Sequence, residues 1–537
     1  LVSPQADVTQ HVTASARRRR IRPAVIRNIF SVSALTLVSR VLGFVRDLLF
    51  AAVLGAGALS DAFFVAFRIP NQFRAIFAEG AFNAAFVPAF ARVAAQRGQD
   101  AALVFADRIF AYLFIAQLFL LAGALVFMPA VVAMLAPGFV DDPVRFPATV
   151  ELTRITFPYL GFVSLVVLMG GVLNAVGRFA APAATAIILN AGVIAALLAA
   201  GYFPTPAHAA AWGVVISGVL QFLLVTGDAL RANVMVEFRL PKVTPEVKQF
   251  WKTFVPATAG SAGSQIAVLA DTIIASFLVT GSVSWLYYAD RLNQLPTGVI
   301  AVAVGTVLLS EMSRRIAAGD DQGARHAQLR AIELTLVFCL PAVAAFVIVP
   351  DTIMRALFMR GAFSENDALQ AARALAAYGL GLAALVLIRA FTVTFHARGD
   401  TTTPVIAVAV AIAVNVALKV ALMAPLGHVG LALATSAGAW INLALLGWFA
   451  RRQSLMGLDD RARRVLPRLF LAFGVLAVVL ALVSAGLSML FGPTFSDKLA
   501  LAILMAAGGL SYGATLVVLF GREFVADIKR LRKGIGG

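Results

Sequence analysis

The residues of this chain best placed to do chemistry are charges inside apolar stretches. Arg40, Arg46, Arg68, Arg74, Arg291, Arg389 and Lys419 interrupt otherwise apolar runs, with Asp47, Asp61, Glu79, Asp271 and Asp290 among them or near their ends. An arginine at a bilayer centre costs about 2.5–3.5 kcal/mol on insertion scales, so four cost on the order of 10 kcal/mol. Such residues face a bundle interior or a water-filled cavity. A guanidinium offers a planar fork of donors that matches phosphate oxygens, and several forks suit a pyrophosphate. Arg40, Gly43 and Asp47 share one helical face. Arg46 lies about 240° round from Arg40 on an ideal helix, so a bend at Gly43 or a wide cavity is needed for both to line one space. Pro70, just before Arg74, favours a broken helix of the kind that flanks substrate sites. A plainer alternative makes Arg40–Asp47 and Asp290–Arg291 internal ion pairs. A second set, Asp271, Asn415 and Thr435, has oxygens suited to a sodium ion, while Lys419 offers a tethered cation for Asp271 instead.

These side chains need helices to carry them across a membrane. Of 537 residues, 61% are hydrophobic and 13% charged. Soluble domains carry about 25% charged residues, so that class is excluded. A single cysteine, Cys339, excludes a disulfide scaffold. The five histidines are scattered, so no metal site is expected, and no Gly-Lys-Ser/Thr phosphate loop occurs. Fourteen apolar spans are expected, centred near Arg40, Ile76, Ala116, Leu160, Ala191, Val219, Leu269, Ala301, Pro341, Leu382, Ala413, Leu443, Val475 and Gly508. With the N-terminus inside, 31 of the 44 basic residues fall in cytoplasmic segments and six in the opposite loops. That asymmetry predicts an even helix count with both ends cytoplasmic, and it explains the net charge of +17 without nucleic acid. The basic run before the first span has the character of a signal-peptide start, but Arg40 and Arg46 follow it and no small-x-small site does, so a retained helix is expected.

The halves overlay at an offset of 224: Asp47 on Asp271, Ala51 on Ala275, Leu54 on Leu278, Gly57 on Gly281 and Ser60 on Ser284. At an offset of 222, Ala175, Gly177 and Pro182 meet Ala397, Gly399 and Pro404. Six spans per repeat keep the same orientation, which predicts a parallel repeat with a site between the repeats. The expected fold is therefore an all-α polytopic membrane protein of fourteen transmembrane helices, two six-helix lobes plus two C-terminal helices. Its expected divisions are a basic tail over 1–26, an N-lobe over 27–233, a C-lobe over 234–452, two added helices over 453–521 and a basic cytoplasmic tail over 522–537.

Several segments together resemble the MviN/MurJ family of bacterial lipid II flippases, within the multidrug/oligosaccharidyl-lipid/polysaccharide exporter superfamily. They are Ser39-Arg-Val-Leu-Gly-Phe-Val-Arg-Asp47, Ser60-Asp-Ala-Phe-Phe-Val-Ala-Phe67, Pro70-Asn-Gln-Phe-Arg74, Phe77-Ala-Glu-Gly-Ala-Phe82, Ser282-Val-Ser-Trp-Leu-Tyr-Tyr-Ala-Asp-Arg291 and Arg398-Gly-Asp-Thr-Thr-Thr-Pro404. The resemblance covers roughly Asn28 to Gly521. It implies a V-shaped cavity between two lobes in the bacterial cytoplasmic membrane, and lipid II, the undecaprenyl-pyrophosphate disaccharide-pentapeptide, as the substrate. It implies substrate contacts at Arg40, Arg46, Arg74, Arg291 and Asp61, with Ser39 and Ser284 in the same motifs as further candidates. Gly43, Asp47, Pro70, Glu79 and Asp290 are candidates for structural or gating roles on their own residue types and spacing. The last two helices resemble a groove for the polyprenyl tail. Some members bind sodium at positions matching Asp271, Asn415 and Thr435; this chain departs by Lys419 where an acid would sit, and by Ser310 where proline is usual. Membrane lipids and the cell-wall synthesis machinery are expected partners, and no enzymatic step is expected. Alternating access, with the membrane potential as driving force, is the expected mechanism. A drug/cation antiporter, a flippase for another polyprenyl-linked glycan and a membrane-embedded polyprenyl-pyrophosphate enzyme are the rival readings. The first favours cavity acids, and the last needs an acid/base or metal constellation.

Overall fold

The computed structural model describes residues 23–76, 82–455, 457, 459–492 and 496–535. Among these residues there is no strand; α-helices and two short 3-10 turns account for all regular structure. The first half holds α1 (Pro23–Leu54), α2 (Ala58–Ile76), α3 (Phe82–Arg97), α4 (Gln99–Val126), α5 (Met128–Leu135), α6 (Arg145–Thr156), α7 (Tyr159–Ala175), α8 (Ala180–Leu198) and α9 (Pro206–Arg231). The second holds α10 (Pro245–Ser276), α11 (Ser282–Ala317), α12 (Asp321–Ile348), α13 (Pro350–Phe358), α14 (Glu365–His396) and α15 (Thr402–Arg452). Two helices follow, α16 (Asp460–Phe491) and α17 (Asp497–Ile535). Nine described segments are long and apolar enough to cross a membrane. The fourteen expected centres all fall on helices, two of them on the 51-residue α15, which breaks at Gly427.

Local chemistry sets the ends. Asp320, Ser364 and Asp459 each accept a backbone N–H at a helix start, and Ser364 with Asp367 forms a reciprocal capping box. Two expectations about boundaries need correction. α2 runs through Pro70 to Ile76, so the helix is not broken at the proline; Glu79 lies outside the described residues. Val234, Val236, Val247, Phe250 and Phe254, placed beyond the expected 233/234 lobe boundary, pack with Phe82, Phe86 and Phe105 of the first half. The chain therefore crosses over inside α10, which contains Pro256, and not ahead of it.

The parallel repeat appears in the backbone. Gly177 and Gly399, paired at the 222 offset, have φ of 82° and 79° before α8 and α15, a conformation glycine adopts without steric cost. The ends of the halves also exchange contacts. Gly138, beyond α5, sits where a Cβ would lie 2.5 Å from the Ser276 backbone, and its N–H donates to Ser276 Oγ at 3.0 Å. Gly361, beyond α13, sits where a Cβ would lie 2.1 Å from the Ala52 carbonyl, and the Ala362 N–H donates to that carbonyl at 2.8 Å. Ala52 and Ser276 are themselves related by the 224 offset. Each half thus lays the glycine after its short helix on the end of the other half's first helix. This reciprocal contact seals the end of the bundle away from the basic loops.

α16 and α17 stand outside the repeat. A buried stripe of Leu469, Ala472, Leu476 and Leu480 turns α16 inward, while Phe470, Leu471, Val478 and Leu482 stay exposed on its other side. The Tyr512 hydroxyl ties α17 to α12 at the Val337 carbonyl, 3.0 Å away. α17 breaks at Gly521, where the basic tail was expected to begin, and stays helical to Ile535.

Candidate functional site

One buried carboxylate organises the arginines. Asp47 of α1 accepts from Arg46 at 2.8 and 3.1 Å, from the Tyr287 hydroxyl of α11 at 3.0 Å, and pairs with Arg291 of α11 at 3.6 Å. The first half thus supplies the acid and the second supplies a phenol and a guanidinium. Arg46 is almost fully buried and its NH1 donates to Asn190 Oδ1 on α8 at 2.9 Å. Asn190 Nδ2 donates to the Ser39 carbonyl at 2.9 Å. Gly43 faces this amide, and a Cβ there would lie 3.5 Å from Asn190 Nδ2. Gly43 therefore works as a close-contact point between α1 and α8.

Arg40 is exposed and makes no ion pair among the described residues; NH1 lies 3.1 Å from where a Cβ on Gly298 would stand. Gly298 is seven residues beyond Arg291, on the same face of α11. Arg40 therefore reaches across from the first half and lies about two turns along α11 from Arg291. Arg74 of α2 donates to Asn71 Oδ1 at 3.2 Å. Arg291 also stacks on the Tyr287 ring, 4.8 Å from its centroid. The ring in turn stacks on Phe64 at 3.9 Å. The arrangement joins Arg46 of α1 and Arg291 of α11 at one shared acid, Asp47, with Arg40 exposed to one side and Asp290 beside Arg291 in the chain.

The ion pairs of the plainer alternative do not form among the described residues. Asp47 takes Arg46 and Arg291 in place of Arg40, and Asp290 accepts from Gln294 rather than pairing with Arg291. Asp61 and Ser284, expected as substrate contacts, are buried on each other. Asp61 accepts from Gly281 N at 2.7 Å, Ser284 N at 2.9 Å and Ser284 Oγ at 2.6 Å. A carboxylate of α2 thereby satisfies the free amides at the start of α11, which is a contact between halves rather than an open donor set. Ser39 offers its carbonyl to Asn190 and its hydroxyl sits 3.4 Å from the same amide.

The sequence reading passed over Asn190 and named Tyr287 only within the Ser282–Arg291 segment. Asn190 had a signal, as a lone amide in the apolar run of α8. Tyr287 had none, because only the contact between α1 and α11 brings its hydroxyl to Asp47.

In the second set each side chain takes a protein partner. The Lys419 ammonium is buried on Asp271 Oδ1. Asn415 Nδ2 turns to the Ala434 carbonyl at 3.3 Å, and the Thr435 hydroxyl donates to the Leu431 carbonyl at 3.0 Å. The acid is neutralised by a tethered cation, and the other two side chains serve their own helices. Among the described residues no group of three histidine, cysteine or acidic side chains is placed to hold a metal.

Comparison with known proteins bears on the family and the fold. The family model described as lipid II flippase MurJ matches residues 50–520. A protein of Rhizobium meliloti (strain 1021) named "Probable lipid II flippase MurJ" is 40% identical over 462 residues, 85% of this chain and 86% of its own length. The "Lipid II flippase MurJ" of Burkholderia cenocepacia is 36% identical over 469 residues, 86% and 89% of the two chains. A solved structure titled "Lipid II flippase MurJ, inward closed conformation" superposes with a TM-score of 0.77 at 26% identity, covering 92% of this chain and 99% of that one. An inward-facing multidrug resistance MATE transporter of the MOP superfamily, 15% identical with a TM-score of 0.66, shares the fold. On the strength of a family match over nearly the whole chain and relatives aligned along most of both lengths, this multi-pass membrane protein belongs to the lipid II flippase MurJ family.

Proposed function

We propose that the chain moves lipid II between membrane leaflets, gripping the pyrophosphate with Arg40, Arg46, Arg74 and Arg291. The observation that carries this reading is the shared carboxylate. Asp47 serves both Arg46 and Arg291, so the guanidiniums outnumber the acid that meets them. A pyrophosphate supplies the missing negative charge and accepts bidentate bonds from several forks. The donors come from both halves, 27–233 and 234–452, so a bound diphosphate couples to their relative position. We read it as a transport site because its donors suit the oxygens of an anionic headgroup.

The basic end faces the cytoplasm with both termini, and the sealed end faces outward. The headgroup enters from the cytoplasmic side, the polyprenyl tail stays in the bilayer along α16 and α17, and the halves rock to open the sealed end. Arg40 is the exposed first contact; Arg46 and Arg291 are held ready by Asp47 and Tyr287. An inside-negative potential drives the anionic headgroup outward by about 2.3 kcal/mol per charge per 100 mV for a full crossing. No nucleotide and no coupling sodium enters this scheme.

Reconstitution in vesicles with labelled lipid II tests it. Unaltered lipid reaching the far leaflet is expected. A chemically altered product, or equal movement without protein, would reject it, and faster movement of another polyprenyl-linked glycan would reassign the substrate. Arg40→Lys keeps the charge and removes the fork, and should slow movement about tenfold, the equivalent of ~1.4 kcal/mol; a wild-type rate would remove bidentate grip from the mechanism.

A further inference from the structure

A cavity of about 520 Å³ lies between the halves, and neither Asp47 nor any of the four arginines lines it. Its walls are α4 and α5 of the first half and α10 of the second, with Gln72 of α2 at one side. Of the twelve residues that line it, only Gln72 and Gln265 are polar and none is charged. Gln72 shares a face of α2 with Arg68, and Gln265 shares a face of α10 with Leu269 and Thr272. Arg68 donates to Thr272 at 2.7 Å, and one turn further on Ser276 receives the Gly138 N–H. The cavity is therefore closed toward the sealed end. At its mouth Phe119, Phe127 and Met134 are 73%, 65% and 68% exposed. They belong to α4, an apolar span whose surface is mostly uncovered by protein, and to the short helix after it. The mouth thus opens on the hydrocarbon of the bilayer.

We infer that this cavity binds one acyl chain of a membrane phospholipid. Water has almost nothing to bond to there, and an empty cavity forfeits the dispersion contacts of its walls. The volume lies within the range of ligand pockets and suits a single fatty chain; a polyprenyl tail, several times longer, would overflow it. Because the walls come from both halves, the chain binds the arrangement in which Gly138 meets Ser276 and Gly361 meets Ala52. Spreading of the halves at that end changes the cavity, so the lipid favours one member of the conformational equilibrium. The inference does not depend on the identity of the transported substrate.

Gly123 supplies the test, because a Cβ built on it meets nothing within 4 Å and projects into open space. The full chain is reconstituted in phosphatidylethanolamine–phosphatidylglycerol vesicles doped with phosphatidylethanolamine bearing a diazirine at one acyl terminus. After photolysis, adducts are expected on Leu269, which lies behind the mouth. Gly123→Trp should cut them about tenfold, a loss of ~1.4 kcal/mol of binding, and leave labelling of the exposed Leu471 on α16 unchanged. Gly123→Leu should give a smaller cut and carries the test should the tryptophan variant fail to fold. No adduct on Leu269, or equal labelling in both variants, overturns the inference. Displacement by polyprenyl phosphate but not by unlabelled phospholipid overturns it equally, by assigning the cavity to the other lipid.

Discussion

At the scale of single residues, Asp47 bears the largest consequence. Its carboxylate faces two guanidiniums and a phenol, all largely withdrawn from water. Breaking a buried pair by removing one partner costs about 3–5 kcal/mol, because the other charge stays buried. Asp47→Asn should therefore lower the Tm of the purified protein markedly, whereas Arg40→Lys, at an exposed position, should leave it unchanged. Equal Tm values for wild type and Asp47→Asn would deny the acid its organising role. Lys419 leads to a second expectation. With its ammonium on Asp271, exchanging sodium for potassium should change neither Tm nor transport rate; a clear sodium dependence would mean that Lys419 leaves Asp271 in the working protein. The arginines were legible in the sequence because charge in an apolar run is costly and conspicuous. Their pairing was not, since Arg46 is adjacent to Asp47 in the chain while Arg40 has the helical spacing that suggested the pair.

At the scale of elements, the structure turns on where helices of one half end against those of the other. Gly138 is packed on the Ser276 backbone, so any side chain there must push α10 away. Gly138→Ala should loosen the sealed end, and hydrogen exchange at the Gly281 and Ser284 amides, held by Asp61, should rise about tenfold for each ~1.4 kcal/mol lost. Unchanged exchange would show that the Asp61 contact closes this end unaided. The 222 offset pairs Gly177 with Gly399, and both take the positive φ that glycine adopts without steric cost. The continuation of α2 through Pro70 was not readable, because neighbouring helices can satisfy backbone groups that a proline frees.

At the scale of the whole molecule, the two halves act as a pseudo-symmetric pair sealed by reciprocal contacts at one end, with the arginines on their facing first and second helices. A machine of this shape that carries an anionic headgroup outward should respond to voltage. Collapsing an inside-negative potential in vesicles is expected to slow lipid II movement, in line with about 2.3 kcal/mol per charge per 100 mV over the crossing. A rate indifferent to potential would place the driving force elsewhere, in consumption of the lipid on the far side.

Composition and periodicity alone determined that this chain is a helical membrane protein, because 61% hydrophobic residues leave too few polar groups to cover a soluble globule. The internal offset determined that its halves run parallel, since six spans return the chain to the same side. Tertiary structure alone decided which charges meet. Asp61 belongs to the amides of α11, Lys419 to Asp271, and Tyr287 to Asp47, because each partnership joins side chains more than a hundred positions apart. Spacing along one helix fixes a face, but only packing between helices brings two faces together.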